Sequence, residues 1–130
     1  MEAGKAIYSI LSGDSNVTTI TALIYGNEAR QGITIPCIVY NTISDTPLNT
    51  KSGFNALVSR VQVSCFAETY EAVNALAIVV RNSLADKALG TYGGVVVQNI
   101  KFESSQDFTE SAGNDGVFHV SLDFMVHYNR

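Results

Sequence analysis

The residues that could do chemistry in this chain are few, and their spacing works against it. His119 and His127 flank Asp123 in the run Val117–Tyr128, where Phe118, Val120, Leu122, Phe124, Val126 and Tyr128 alternate with His119, Ser121, Asp123, Met125 and His127. A period of two describes a half-buried β-strand whose mostly polar face carries both imidazoles and the carboxylate. At a rise of about 3.3 Å per residue, His119 and His127 stand about 26 Å apart and His119 and Asp123 about 13 Å, so they share no metal on this strand. Cys37 and Cys65 lie in apolar, strand-like runs far from each other in sequence. That spacing makes neither a CxxC redox pair nor a zinc knuckle, and both read as reduced core thiols.

The other places to look are glycine-rich or acidic. Gly90-Thr-Tyr-Gly-Gly94 precedes a strand, whereas a phosphate cradle needs a helix N-terminus behind it. Asp107–Gly116 (DFTESAGNDG) holds oxygen ligands without the carboxylate spacing of an EF-hand. No GxSxG elbow is present. The reading is a protein with no catalytic, cofactor or metal site, hence not an enzyme. Its informative segment is instead Gly94–Asn129, in which the runs Val95–Phe102 and Val117–Tyr128 flank a polar stretch whose only charges are Glu103, Asp107, Glu110 and Asp115. This predicts a long closing β-hairpin with an acidic loop from Glu103 to Gly116, a surface for meeting other proteins.

Composition sets the frame for that surface. The 130 residues predict one domain, residues 1–130, with 46% apolar and 15% charged residues, against about 25% charged in ordinary domains. So few charges either leave apolar surface for partner subunits to cover or reflect a β-rich domain that is charge-poor on its own. The net charge is −4 with only eight Lys and Arg and no basic run, which argues against a surface that tracks phosphates. The N-terminus lacks the basic and apolar regions of a signal peptide, and no apolar run is long enough to span a bilayer. A reducing cytoplasm is the expected place of synthesis.

The elements that must carry the surface follow from periodicity. Ala3, Ala6, Ile7, Ile10 and Leu11 recur at helical spacing, and Ser12-Gly13-Asp14 ends the helix. Thr18–Tyr25 is β-branched and predicts a short strand; Ile35–Ser44 and Leu57–Phe66 predict longer ones, with Asp45–Phe54 as the connection. In the last, Leu57, Val61, Val63 and Cys65 share one face and Arg60, Gln62 and Ser64 the other. Thr69 reads as an N-cap with Glu71 in the first turn of a helix running to about Lys87. Tyr70, Val73, Leu76, Ala77, Val80 and Leu84 form its sheet-facing stripe, while Ile78 and Val79 fall outside it. A helix apolar on more than one side is covered twice, by the N-terminal helix or by a neighbouring subunit. Ile78 and Val79 therefore join Glu103, Asp107, Glu110 and Asp115 as candidate interface residues.

Several phrases, in this order, carry a family resemblance: Ile35-Pro-Cys-Ile-Val-Tyr-Asn-Thr-Ile-Ser44, Arg60-Val-Gln-Val-Ser-Cys-Phe-Ala67, Tyr70-Glu-Ala-Val-Asn-Ala-Leu-Ala77, and Gly116-Val-Phe-His-Val-Ser-Leu-Asp-Phe-Met-Val-His127. Together they resemble the tail-completion family of long-tailed bacteriophages, tail terminators and tail-to-head joining proteins, over roughly residues 3–129. The resemblance implies an α+β domain with an antiparallel sheet covered by helices, which for this chain means about four to five strands with two helices packed on one face, ending in a long β-hairpin. It also implies a virion protein, assembled in the host cytoplasm into a ring of six at the head-proximal end of the tail. The implied partners are the tail tube protein, the head-tail connector, and DNA that crosses the lumen without specific binding. Six copies at −4 would carry about 6 × −4 = −24, suited to a conduit that repels DNA. The competing reading is a small cytoplasmic ligand-binding or regulatory module, which a discrete dimer with an apolar pocket would favour.

Overall fold

Helix α1 (Glu2–Ser12) buries Ala3, Ala6, Ile7, Ile10 and Leu11, the stripe its spacing predicts. In the computed structural model, which describes residues 2–21, 23–26, 36–47, 56–85, 90–110 and 117–129, this stripe packs into a single apolar core. The chain leaves α1 at Gly13, whose N–H donates to Ser9 O. Asp14 then caps a one-turn helix α2 (Ser15–Thr18), its carboxylate accepting from the Asn16 N–H at 2.9 Å. An Asx cap satisfies a helix-end donor that a strand would leave elsewhere. The strand predicted from Thr18 therefore shrinks to β1 (Ile24–Gly26). Buried Thr21 ties the approach down, donating from Oγ1 to Pro36 O at 2.7 Å and accepting from the Leu23 N–H at 3.0 Å.

The sheet has six strands in the order β1-β2-β3-β6-β5-β4. After β1 come β2 (Cys37–Pro47), β3 (Ala56–Ala67), helix α3 (Tyr70–Leu84), β4 (Gly90–Tyr92), β5 (Val95–Glu110) and β6 (Val117–Asn129). The expectation of an all-antiparallel sheet of four to five strands with two helices is corrected here. β1 runs parallel to β2, β4 adds a sixth strand, and α2 a third helix. The α+β class and the closing hairpin stand. That hairpin is longer than predicted: β5 continues through the polar stretch to Glu110, paired with β6 down to Val117. Backbone pairing, indifferent to side-chain polarity, makes strand of what reads as loop.

Thr69 caps α3 as its sequence predicts, Oγ1 accepting from the Ala72 N–H at 3.1 Å, with Glu71 in the first turn. The helix ends at Leu84, short of Lys87. Val73, Leu76, Ala77, Val80 and Leu84 are buried against Val61, Val63, Cys65, Leu122, Phe124 and Val126 of the central strands. Tyr70 departs from the stripe: it is 52% exposed and meets Phe118 edge-on.

The β4–β5 turn rests on α1. Gly93 has φ +59°, and a Cβ there would lie 2.7 Å from Lys5 O. Both the left-handed backbone and the close approach require glycine. Gly93→Ala is expected to cost about 1–3 kcal/mol in urea unfolding; a change below about 0.5 kcal/mol would contradict this packing.

Candidate assembly surfaces

The sheet has one face under the helices and one without a helix among the described residues. The period of two in β3 and β6, read through their register, fixes the second face row by row. Ser44, Arg60, Met125 and Lys101 stand in one cross-strand row, and Asn41, Gln62, Asp123 and Ser104 in the next. Val39, Ser64, Ser121 and Gln106 follow, then Cys37, Phe66 and His119. Hydroxyls and amides dominate the middle of this face, and Gln62 Nε2 donates to Ser121 Oγ.

The long strands on either flank share one level of bulging, and β5 has a further register shift between Val97 and Asn99. β2 inserts an extra residue between Thr42 and Ser44, and β5 inserts one between Phe102 and Ser104. Thr42, Val61, Phe124 and Phe102 form the row immediately before both insertions. Bulges bend and twist the strands that carry them, and the sheet is curled. Ser44 from β2 and Glu103 and Ser104 from β5 consequently line one hollow of about 360 Å³ with Arg60 and Met125. From its wall Arg60 Nη2 donates to Asp123 Oδ2 at 2.9 Å.

The predicted interface residues divide between places. Ile78 is 49% exposed and borders a second cleft, between α3 and the β5–β6 hairpin, whose floor includes Val120 and Leu122. Val79 is half-buried against the core, so its apolar character is already answered within the subunit. Glu103 is exposed at the β5 bulge. Asp107 and Glu110 occupy strand positions opposite Val120 and Val117, while Asp115 lies outside the described residues. The three carboxylates within the described residues are thus spread along one strand, where the sequence suggested a single loop.

The candidate chemical groups are equally dispersed. His119 stacks on Phe66 at 4.4 Å, Asp123 faces Arg60, and His127 stands at the other end of β6 opposite Val58 and Asn99. Among the described residues no three His, Cys, Asp or Glu side chains are grouped to hold a metal, and no helix is long and apolar enough to cross a membrane. Cys37 and Cys65 are free and buried, and burial raises both thiol pKa values. Cys37 pairs with Phe66 and Cys65 with Ile38, so the thiols point to opposite faces of the sheet. The polar face itself was legible from alternation. The Arg60–Asp123 pair was not, because it depends on which strand lies beside β3.

The molecule so described is an α+β domain whose distinctive surfaces are a curled polar sheet face, a projecting hairpin and strand flanks. It matches the family described as Tail completion protein gp17 over residues 5–129, and the chain belongs to that family of phage tail structural proteins. Among curated proteins none matches. Among solved structures, a chain of the "Virion of native gene transfer agent (GTA) particle" has the same fold, with a TM-score of 0.74 at 14% identity. The alignment covers 98% of this chain and 97% of that one.

Proposed function

We propose that this chain is the subunit of a ring, of six copies, at the head-proximal end of a phage tail tube. The ring stops tube growth, joins tail to head, and lets DNA through its lumen; the chain performs no catalysis. The observation that carries this reading is a pair of strand flanks on opposite sides of the sheet. β1 accompanies β2 only over Ile38–Tyr40, and β4 accompanies β5 only over Val95–Val97. Beyond them, no strand among the described residues pairs with the outer edge of β2 over Ser44–Pro47, whose inner edge holds β3, or with the outer edge of β5 over Asn99–Glu110, whose inner edge holds β6. Exposed strand edges are templates for another chain. Two different edges on opposite flanks give a head-to-tail contact, which closes into a ring when the rotation between copies closes. With the helices outside, the curled polar face turns inward.

Light scattering across a concentration series, with images of the particles, tests this. Rings, or monomers that become rings when tail tubes are added, are the expected result; a discrete dimer at every concentration overturns the reading. Ile78→Asp separates folding from assembly. An exposed position changes stability by about 0.5 kcal/mol or less, so the melting temperature should hold while ring formation or tail joining fails. Intact assembly with Asp at this position would remove the α3 flank from the interface.

A further inference from the structure

We propose that Asp123 silences Arg60, so that the open face of the sheet presents no net charge to a polyanion moving across it. This rests on the ring reading with that face inward. The net charge of −4 suggested a lumen that repels DNA by excess negative charge. The geometry points elsewhere. Among the described side chains, this face carries two cations, Arg60 and Lys101, and two carboxylates, Asp123 and Glu103.

Their arrangement makes Asp123 decisive. Arg60 and Lys101 share one cross-strand row with Met125 between them, so their backbones stand about 9.6 Å apart. Repeated around a ring, that row would form a basic band. Asp123 lies on the diagonal from Arg60, one row along, with its side chain only 17% exposed. It accepts from Arg60 Nη2 at 2.9 Å, and Ser104 Oγ reaches the same oxygen at 3.4 Å. The Arg60 side chain is 51% exposed, so its charge would otherwise be offered to solvent. Pairing converts that charge into a short dipole, whose field dies away well inside the screening length of about 8 Å. Glu103, at the bulge two residues along the strand from Lys101, brings a second carboxylate to this face, so that with Asp123 the formal charges of the four groups sum to zero. A duplex passing such a face meets mostly hydroxyls and amides, and gains no counterion release from Arg60 while Asp123 holds it.

The test uses the full chain in three forms: wild type, Asp123→Asn, and Arg60→Gln with Asp123→Asn. Thermal melts report folding, light scattering reports the ring, and fluorescence anisotropy with a labelled DNA duplex reports adhesion. At about 50 mM salt Asp123→Asn should bind the duplex about tenfold more tightly than wild type, and at about 200 mM the gain should vanish. The double variant should return to wild-type binding. Equal binding by wild type and Asp123→Asn overturns the inference, as does a gain that survives in the double variant. If Asp123→Asn is unfolded at the assay temperature, Asp123→Ser, also uncharged, takes its place with the same criteria. Absence of rings in all three proteins counts against the ring reading alone, because duplex binding is measured separately.

Discussion

Phe124→Ala is expected to remove about 3–5 kcal/mol of stability, a third or more of what holds many single domains folded. Phe124 is fully buried, at the centre of β6, and meets Phe102 edge-to-face at 5.6 Å. Its row, with Thr42, Val61 and Phe102, is the last before both bulges. A cavity there removes packing from beneath the point where the sheet curls. Phe124→Leu, which keeps most of the volume, should cost about 1.5 kcal/mol or less. Urea unfolding of the three proteins checks the pair, and a loss under about 1 kcal/mol for the alanine form would mean that the site collapses freely.

The second large effect concerns the thiols. Burial pushes the Cys65 pKa well above the ordinary thiol value of 9.0, and that of Cys37 upward as well. Since only the thiolate is nucleophilic, alkylation of Cys65 should run at least about a thousandfold slower in the native protein than in urea. The sign for stability follows from proton counting. Above pH 9.0 the unfolded chain releases the Cys65 proton while the folded chain keeps it. Stability is therefore undiminished by Cys65 below that pH and falls as pH rises beyond it. Unfolding free energies measured across this range check the slope; a rise in stability would contradict a buried neutral thiol.

Much of this architecture could be read from residue patterns. α1, α3 with its Thr69 cap, and β6 each carry a regular period, and β3 does so with one polar interruption at buried Ser59. Three features escaped for definite reasons. Asp14 competes for Asn16 through a side-chain hydrogen bond, which converts the start of a β-branched run into α2. The outer half of β5 has no apolar alternation, because it outruns the helices and gains its pairing from β6. Tyr70 opens α3 at the margin of the sheet, where its ring finds Phe118 instead of the core. The interface candidates followed the same divide. Val79 and Ile78 look alike in sequence, yet one packs against the core and the other faces outward. Helical periodicity does not reveal where a neighbouring element ends.

The position of β6 has a consequence for how a copy comes into being. Although it follows the other five strands of the described sheet in sequence, it lies between β3 and β5. Until it is in place, the β1-β2-β3 half and the β5-β4 half are separate ribbons with raw inner edges. Such late, distant pairing is slow and leaves intermediates open to wrong partners. The same arrangement works as a timer: the two flanks are not held at opposite sides of one sheet until β6 has been synthesised and threaded between the halves. In the proposed ring, a copy whose β6 has not yet inserted would have no fixed pair of flanks to offer its neighbours.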